Sequence, residues 1–91
     1  MNIEYIALSF CRNKTDVERV RKKIKGKDIR IISKIESREG IENINEIIEA
    51  SDGIMIARGD LGVEVSLEKV PLLQKHIIKS CNDAGKLSIV A

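Results

Sequence analysis

The segment Ile29-Arg30-Ile31-Ile32-Ser33-Lys34-Ile35-Glu36 reads with a period of two. Ile29, Ile31, Ser33 and Ile35 share one face of an extended chain, and Arg30, Ile32, Lys34 and Glu36 share the other. The first face suits burial beneath a layer of helices. The second carries a cation and an anion two residues apart at the C-terminal end of a strand. In a closed α/β barrel that end, facing inward, is where active sites are built. The pattern alone leaves a Lys–Glu pair that merely fills the barrel mouth equally open.

On either side of this strand, helical and extended patterns alternate. Strand one is expected from Tyr5 to Phe10. A helix follows, opened by Thr15-Asp16-Val17-Glu18 as a capping box with Thr15 as N-cap. Its apolar stripe is Val17, Val20 and Ile24, and Gly26 ends it. After strand two (Ile29 to Glu36), a second helix is expected from about Ile41 to Ala50, with Ile41, Ile44, Ile47 and Ile48 on one face. Strand three is Gly53 to Ala57. A third helix begins near Leu67 after a Ser66 cap, tolerates Pro71 in its first turns and stops at Gly85. Strand four starts near Leu87.

The order is therefore βαβαβαβ, which implies parallel strands joined by helical crossovers. No G-x-G-x-x-G follows a strand, so a dinucleotide-binding sheet loses ground. A (β/α)8 barrel needs eight units. Three units and a further strand predict a single partial domain over residues 1–91, the parallel half of a TIM barrel.

Composition agrees. The 91 residues suffice for one domain with a thin core. With 43% hydrophobic and 33% charged residues, the chain is neither disordered nor low in complexity. Sixteen isoleucines and only two aromatics, Tyr5 and Phe10, suit buried parallel strands and not the stacking platforms of single-stranded nucleic acid binders. No apolar run approaches the roughly 20 residues of a membrane span, and no basic leader opens the chain. Cys11 and Cys81 lie far apart without metal spacing, which reads as two buried, reduced thiols in a cytoplasmic protein.

Charge is segregated. Residues 11–30 carry nine Lys/Arg against three Asp/Glu, and residues 31–68 carry three against nine. The block Arg19-Val20-Arg21-Lys22-Lys23-Ile24-Lys25 reads as a solvated helix face beside an acidic neighbour; a nucleic-acid patch is the competing reading. His76, among Gln74, Lys75 and Lys79, reads as a surface residue.

A second chemical feature follows strand three: Ala57-Arg58-Gly59-Asp60-Leu61-Gly62. Gly59 and Gly62 permit close backbone approach and leave amides for an anion. Glu36 and Asp60, at the ends of consecutive strands, offer two hard carboxylates of the kind Mg2+ or Mn2+ takes, with water and substrate oxygens completing the octahedron. The plainer alternative is a glycine-rich turn capped by Asp60. Lys34 beside such a metal could stabilise an enolate or a transferring phosphoryl group. Ser9 could add a hydroxyl to the same mouth or be a polar filler.

These motifs are long and ordered enough to resemble a family. Ile31-Ile32-Ser33-Lys34-Ile35-Glu36, Glu39-Gly40 and the run from Ala50 through Ala57-Arg58-Gly59-Asp60-Leu61-Gly62-Val63-Glu64 are similar to pyruvate kinase. So are Ala7-Leu8-Ser9-Phe10, Arg12, Leu67-Glu68-Lys69-Val70-Pro71 and Ala84-Gly85-Lys86, so the likeness spans essentially the whole chain.

The resemblance implies strands four to seven of that family's catalytic barrel. It implies phosphoryl transfer from phosphoenolpyruvate to ADP, giving pyruvate and ATP in glycolysis, with Mg2+ (or Mn2+) and K+. Lys34 matches the lysine that stabilises the enolate and the phosphoryl group. Glu36 and Asp60 match the divalent-metal ligands. Ala57, Arg58 and Gly59, with Asp60, match the loop bordering phosphoenolpyruvate, and Ser9 matches a pocket-lining serine. Ser37, Ser66, Leu87 and Val90 depart from the family pattern without touching Lys34, Glu36 or Asp60. The K+ site belongs to earlier strands, so the chain alone is expected to be inactive. Two alternatives stand beside this one: a non-catalytic half-barrel that self-associates through its open sheet edges, and a piece of a metal-dependent aldolase-type barrel.

Overall fold

A computed structural model describes residues 3–91. Met1 and Asn2, which open the stretch read as lacking a basic leader, lie outside the described residues. The element order is β1 (Glu4–Leu8), α1 (Lys14–Lys23), β2 (Ile29–Ile35), α2 (Arg38–Glu42), α3 (Ile44–Ala50), β3 (Gly53–Ile56), α4 (Arg58–Glu64), a short 3-10 turn (Leu67–Lys69), α5 (Val70–Asp83) and β4 (Leu87–Val90). The four strands form one parallel sheet in the order β1-β2-β3-β4. This is the expected α/β architecture, and it fits a segment of a barrel.

The period-two reading of β2 sets the layers. Ile31 and Ile35 are fully buried, as are Ile54 and Ile56 of β3, and they pack in one core with Val17 of α1, Ile44, Ile47 and Ile48 of α3, Leu61 of α4 and Ile77 of α5. The helices thus cover a single face. On the other face Tyr5, Ala7, Ile32, Met55, Leu87 and Ile89 line an open apolar depression of about 370 Å³. Register places them together: Ala7 pairs with Ile32, Ile32 with Gly53, and Gly53 with Leu87.

Several local expectations are corrected. Helix α1 is capped by Asn13, whose side chain accepts from the Asp16 amide at 3.1 Å, and Thr15 is already inside the helix. The expected second helix is two helices that meet at Asn43. Asn43 donates its side-chain amide to the Arg12 carbonyl at 2.9 Å, and this tie to the loop after β1 holds the residue out of helical geometry. Ser37 caps α2 by accepting from the Gly40 amide at 3.1 Å.

The segment after β3 is a helix and not a glycine-rich turn. Two glycines lower its propensity, but Leu61 is fully buried and anchors it in the core. Gly62 lies inside this helix, where an added Cβ would meet Leu67 Cδ2 at 2.5 Å, the tip of an exposed side chain that is free to turn away. Ser66 makes no side-chain cap, and a 3-10 turn precedes α5. The stop at Gly85 is borne out. Gly85 has φ +69°, its amide bonds the Asn82 carbonyl at 3.1 Å, and the Lys86 amide bonds Cys81 at 2.8 Å, the two bonds of a Schellman ending.

Candidate functional site

The C-terminal ends of the strands converge by backbone bonding. The Cys11 amide donates to the Lys34 carbonyl at 3.2 Å, and the Ala57 amide to Ile35 at 3.3 Å. The Ala91 amide donates to Ile56 at 3.0 Å, and the Arg58 amide to Ala91 at 3.3 Å. Lys34 points to the uncovered face, in register with Met55. Its Nζ lies 3.5 Å from Oε1 of Glu36, with side-chain exposures of 28% and 4%. Glu36 Oε2 accepts the Phe10 amide at 2.6 Å. A buried carboxylate is costly unless paired and hydrogen-bonded. Glu36 meets both conditions, while the Lys34 side chain stays partly exposed.

The other expected site residues lie on different elements. Arg58, Gly59 and Asp60 form the exposed first turn of α4. Asp60 therefore lies beyond the strand end where it was expected, one helical turn past Ala57. Ala57, buried, precedes the helix, and its carbonyl takes the first intrahelical bond, from Leu61 at 3.0 Å. The Arg58 amide is used by Ala91, so the amides of Gly59 and Asp60 are the first-turn donors without an intrahelical acceptor. Ser9 is exposed and borders a depression of about 450 Å³ with Phe10, Arg12, Asp16 and Arg19, which neither Lys34 nor Glu36 lines.

Among the described residues no three His, Cys, Asp or Glu side chains gather at one point. Mg2+ needs no such cage: one or two carboxylates suffice when water and substrate phosphates supply the remaining oxygens. Glu36 and Asp60 are both hard oxygen donors, so the chemistry of the donor set fits the ion.

Most of the basic block is a helix face, with Arg21, Lys22 and Lys23 exposed on α1 and Lys25 exposed in the turn that follows. Arg21 donates to the Ala50 carbonyl at 2.7 Å and to Asp52 at 3.3 Å, which is the acidic neighbour expected of it. Asp16 is held below the ordinary carboxylate range: burial alone would raise it, but the Arg12 amide and guanidinium bind the ionised form. His76 is exposed on α5. Both cysteines are free and buried, and burial pushes both thiols up.

The family model described as pyruvate kinase, barrel domain, matches residues 1–91. The chain belongs to the pyruvate kinase family. It is 55% identical over 94 residues to pyruvate kinase of Clostridium perfringens, covering all of this chain and 20% of that protein. It is 58% identical over 92 residues to pyruvate kinase of Dictyostelium discoideum, covering 99% of this chain and 18% of the relative. Against pyruvate kinase of Methanocaldococcus jannaschii the identity is 55% over 93 residues, covering 99% and 21%. The chain thus spans about a fifth of the length of these pyruvate kinases.

Sequence reasoning found the Lys34–Glu36 pair through strand alternation. It missed α4, whose glycines read as a turn, and it missed Phe10 as a partner of Glu36. That partner is a backbone amide, and side-chain patterns carry no signal for it.

Proposed function

We propose that the chain is the strand four-to-seven segment of a pyruvate kinase barrel. In the whole enzyme it contributes to transferring the phosphoryl group of phosphoenolpyruvate to ADP, giving pyruvate and ATP in glycolysis. The observation that carries this reading is the Lys34–Glu36 pair, 3.5 Å apart at the C-terminal end of β2, where the Ala57 amide bonds the Ile35 carbonyl at 3.3 Å. Lys34, partly exposed and paired on one side only, offsets the negative charge that develops on an enolate oxygen and on the phosphoryl group in transfer. Glu36 and Asp60 hold Mg2+ or Mn2+, which supplies Lewis-acid polarisation of the same oxygens. The Gly59 and Asp60 amides face the substrate carboxylate, with Ala57 and Arg58 fixing the turn that presents them. Ser9, which borders a separate depression in this chain, would join the substrate pocket only in the closed barrel, and the K+ site comes from strands outside this chain. Two buried free thiols suit a reducing cytoplasm.

The chain alone has no kinase turnover, because it holds only one corner of this machinery. A coupled assay of purified chain with phosphoenolpyruvate, ADP, Mg2+ and K+ is expected to give no pyruvate above blank; sustained ATP formation refutes the statement. A Mn2+ titration is expected to weaken with Asp60→Ala, and identical curves for the two chains dismiss the metal site.

A second reading rests on the bare apolar face and on β1 and β4 as the outer strands of the sheet. Two copies could pair there and approximate an eight-stranded closure. Sedimentation at low concentration showing monomer alone counts against it.

A further inference from the structure

We propose that a second copy of this chain covers the bare sheet face, and that the two copies close into one eight-stranded parallel barrel about a two-fold axis, with β4 of each beside β1 of the other and Leu87 opposite Ile3. The inference rests on the self-association reading above and adds to it a symmetry, a pairing of edges and a register.

The helices cover one face of the sheet, and the other face is apolar and open. Six side chains line that face, so two copies bring twelve, the number that fills a closed (β/α)8 barrel as three layers of four. The charged members of the face, Arg30 and Lys34, sit near the two ends of β2, where a closed barrel opens to water. The chain exposes 5869 Å², against about 5,300 Å² for a compact monomer of 10.2 kDa. That excess approaches the ~800 Å² that each side of a stable interface buries.

Of the two-fold arrangements, one removes every open edge. Pairing β1 with β1 of the other copy runs antiparallel, leaves both β4 edges open and leaves the apolar face bare. Stacking face on face leaves four edges open. Pairing β1 with β4 twice, about an axis along the barrel, closes the sheet and encloses both apolar faces.

The register follows from the ladder. Ala7, Ile32, Gly53 and Leu87 stand level across the sheet. Ala7 is near the C-terminal end of β1 and Leu87 begins β4, so the level line runs towards the strand starts as it crosses the sheet. A (β/α)8 barrel has a shear of eight residues, and two identical seams carry it between them, four residues each. Leu87, level with Ala7 in its own copy, therefore stands opposite Ile3 of the other, followed by Ser88 opposite Glu4, Ile89 opposite Tyr5 and Val90 opposite Ile6. Four is even, so each side chain keeps its face. Ile3, Tyr5, Leu87 and Val90, all exposed in the single copy, meet apolar side chains at this seam.

The test uses the 91-residue chain. Sedimentation of the unsubstituted chain is expected to give twice 10.2 kDa. Monomer at every concentration overturns the self-association reading and this inference with it, without requiring any variant to fold. For the register, Glu4→Cys and Ser88→Cys chains, one carrying a mass tag, are mixed and oxidised. Within one copy these positions lie on opposite edges, three strand spacings or about 14 Å apart. Cα atoms more than about 7 Å apart cannot be bridged, so any link joins two copies. Cys11 and Cys81 are buried and do not compete. The mixture is expected to form the linked dimer at least about tenfold faster than either chain alone, because the seam raises the effective concentration of the two thiols. Linking as fast within Glu4→Cys alone, or within Ser88→Cys alone, means antiparallel edges and overturns the closure while self-association stands. Faster linking of Ser88→Cys to Leu8→Cys than to Glu4→Cys overturns the stagger of four. A dimer that links at none of these pairs overturns the pairing of edges altogether.

Discussion

The hydroxyls of Ser33 and Ser51 meet 2.6 Å apart inside the core, one on β2 directly before Lys34 and the other at the end of α3. Both residues are almost wholly inaccessible, at 0% and 1% exposure, so neither hydroxyl can turn to water. Removing Ser33 leaves the Ser51 hydroxyl without its partner, which costs about 1–3 kcal/mol, whereas removing Ser51 leaves Ser33 beside the Cys11 thiol. Ser33→Ala and Ser51→Ala are each expected to lower the urea midpoint. The double variant is expected to lose less than the sum, because no orphaned hydroxyl remains. Strict additivity in that cycle would mean the pair does not couple.

Asp52 joins three elements. Its Oδ2 accepts the Ile31 amide at 2.8 Å and the Arg21 guanidinium at 3.3 Å, while its own amide bonds the Ile31 carbonyl at 2.9 Å. Asp52→Ala leaves the Ile31 amide without its carboxylate, and a hydrogen bond to a charged group contributes about 1.5–3 kcal/mol. Arg21→Ala removes a half-exposed ion pair and one carbonyl contact, a loss of about 1 kcal/mol or less. Denaturation of the two variants is expected to rank Asp52→Ala well below Arg21→Ala. The reverse order would place the weight on the guanidinium.

The response to pH has two expected edges. Asp16 ionises below its ordinary value of 3.8 because Arg12 binds the charged form. Its contribution is complete above that value and is lost as pH falls through the lower folded value. Cys11 and Cys81 stay protonated above the ordinary thiol value of 9.0, so stability falls as pH rises past it and the unfolded chain ionises first. Denaturant midpoints measured across both ranges should show the acid edge shrinking in Asp16→Asn and the alkaline edge in Cys11→Ala. An acid edge unmoved by Asp16→Asn would assign it to other carboxylates.

The sheet was legible because isoleucine alternation in β2 has one physical meaning: Ile31 and Ile35 go under the helices and Lys34 does not. The Schellman ending at Gly85 was legible for a similar reason, since a left-handed position favours glycine. Boundaries set by long-range bonds were hidden. Asn43 breaks a helix because it reaches Arg12, 31 residues away. Helix α4 exists because Leu61 finds the core, which no local propensity reports. At the candidate site, Lys34 and Glu36 were readable from their spacing. The placement of Asp60 one turn into a helix, and the capture of Glu36 by a main-chain amide, depend on how distant segments meet.

Because every strand lies beside the strand that precedes it in the chain, no ladder has to wait for a segment made much later. Each crossover closes over a few tens of residues, and loop-closure entropy rises only slowly with such lengths. As the polypeptide leaves the ribosome, β1 can dock β2 while β4 is still being synthesised. Each later strand therefore finds its neighbour already made, which lets assembly follow the order of the chain.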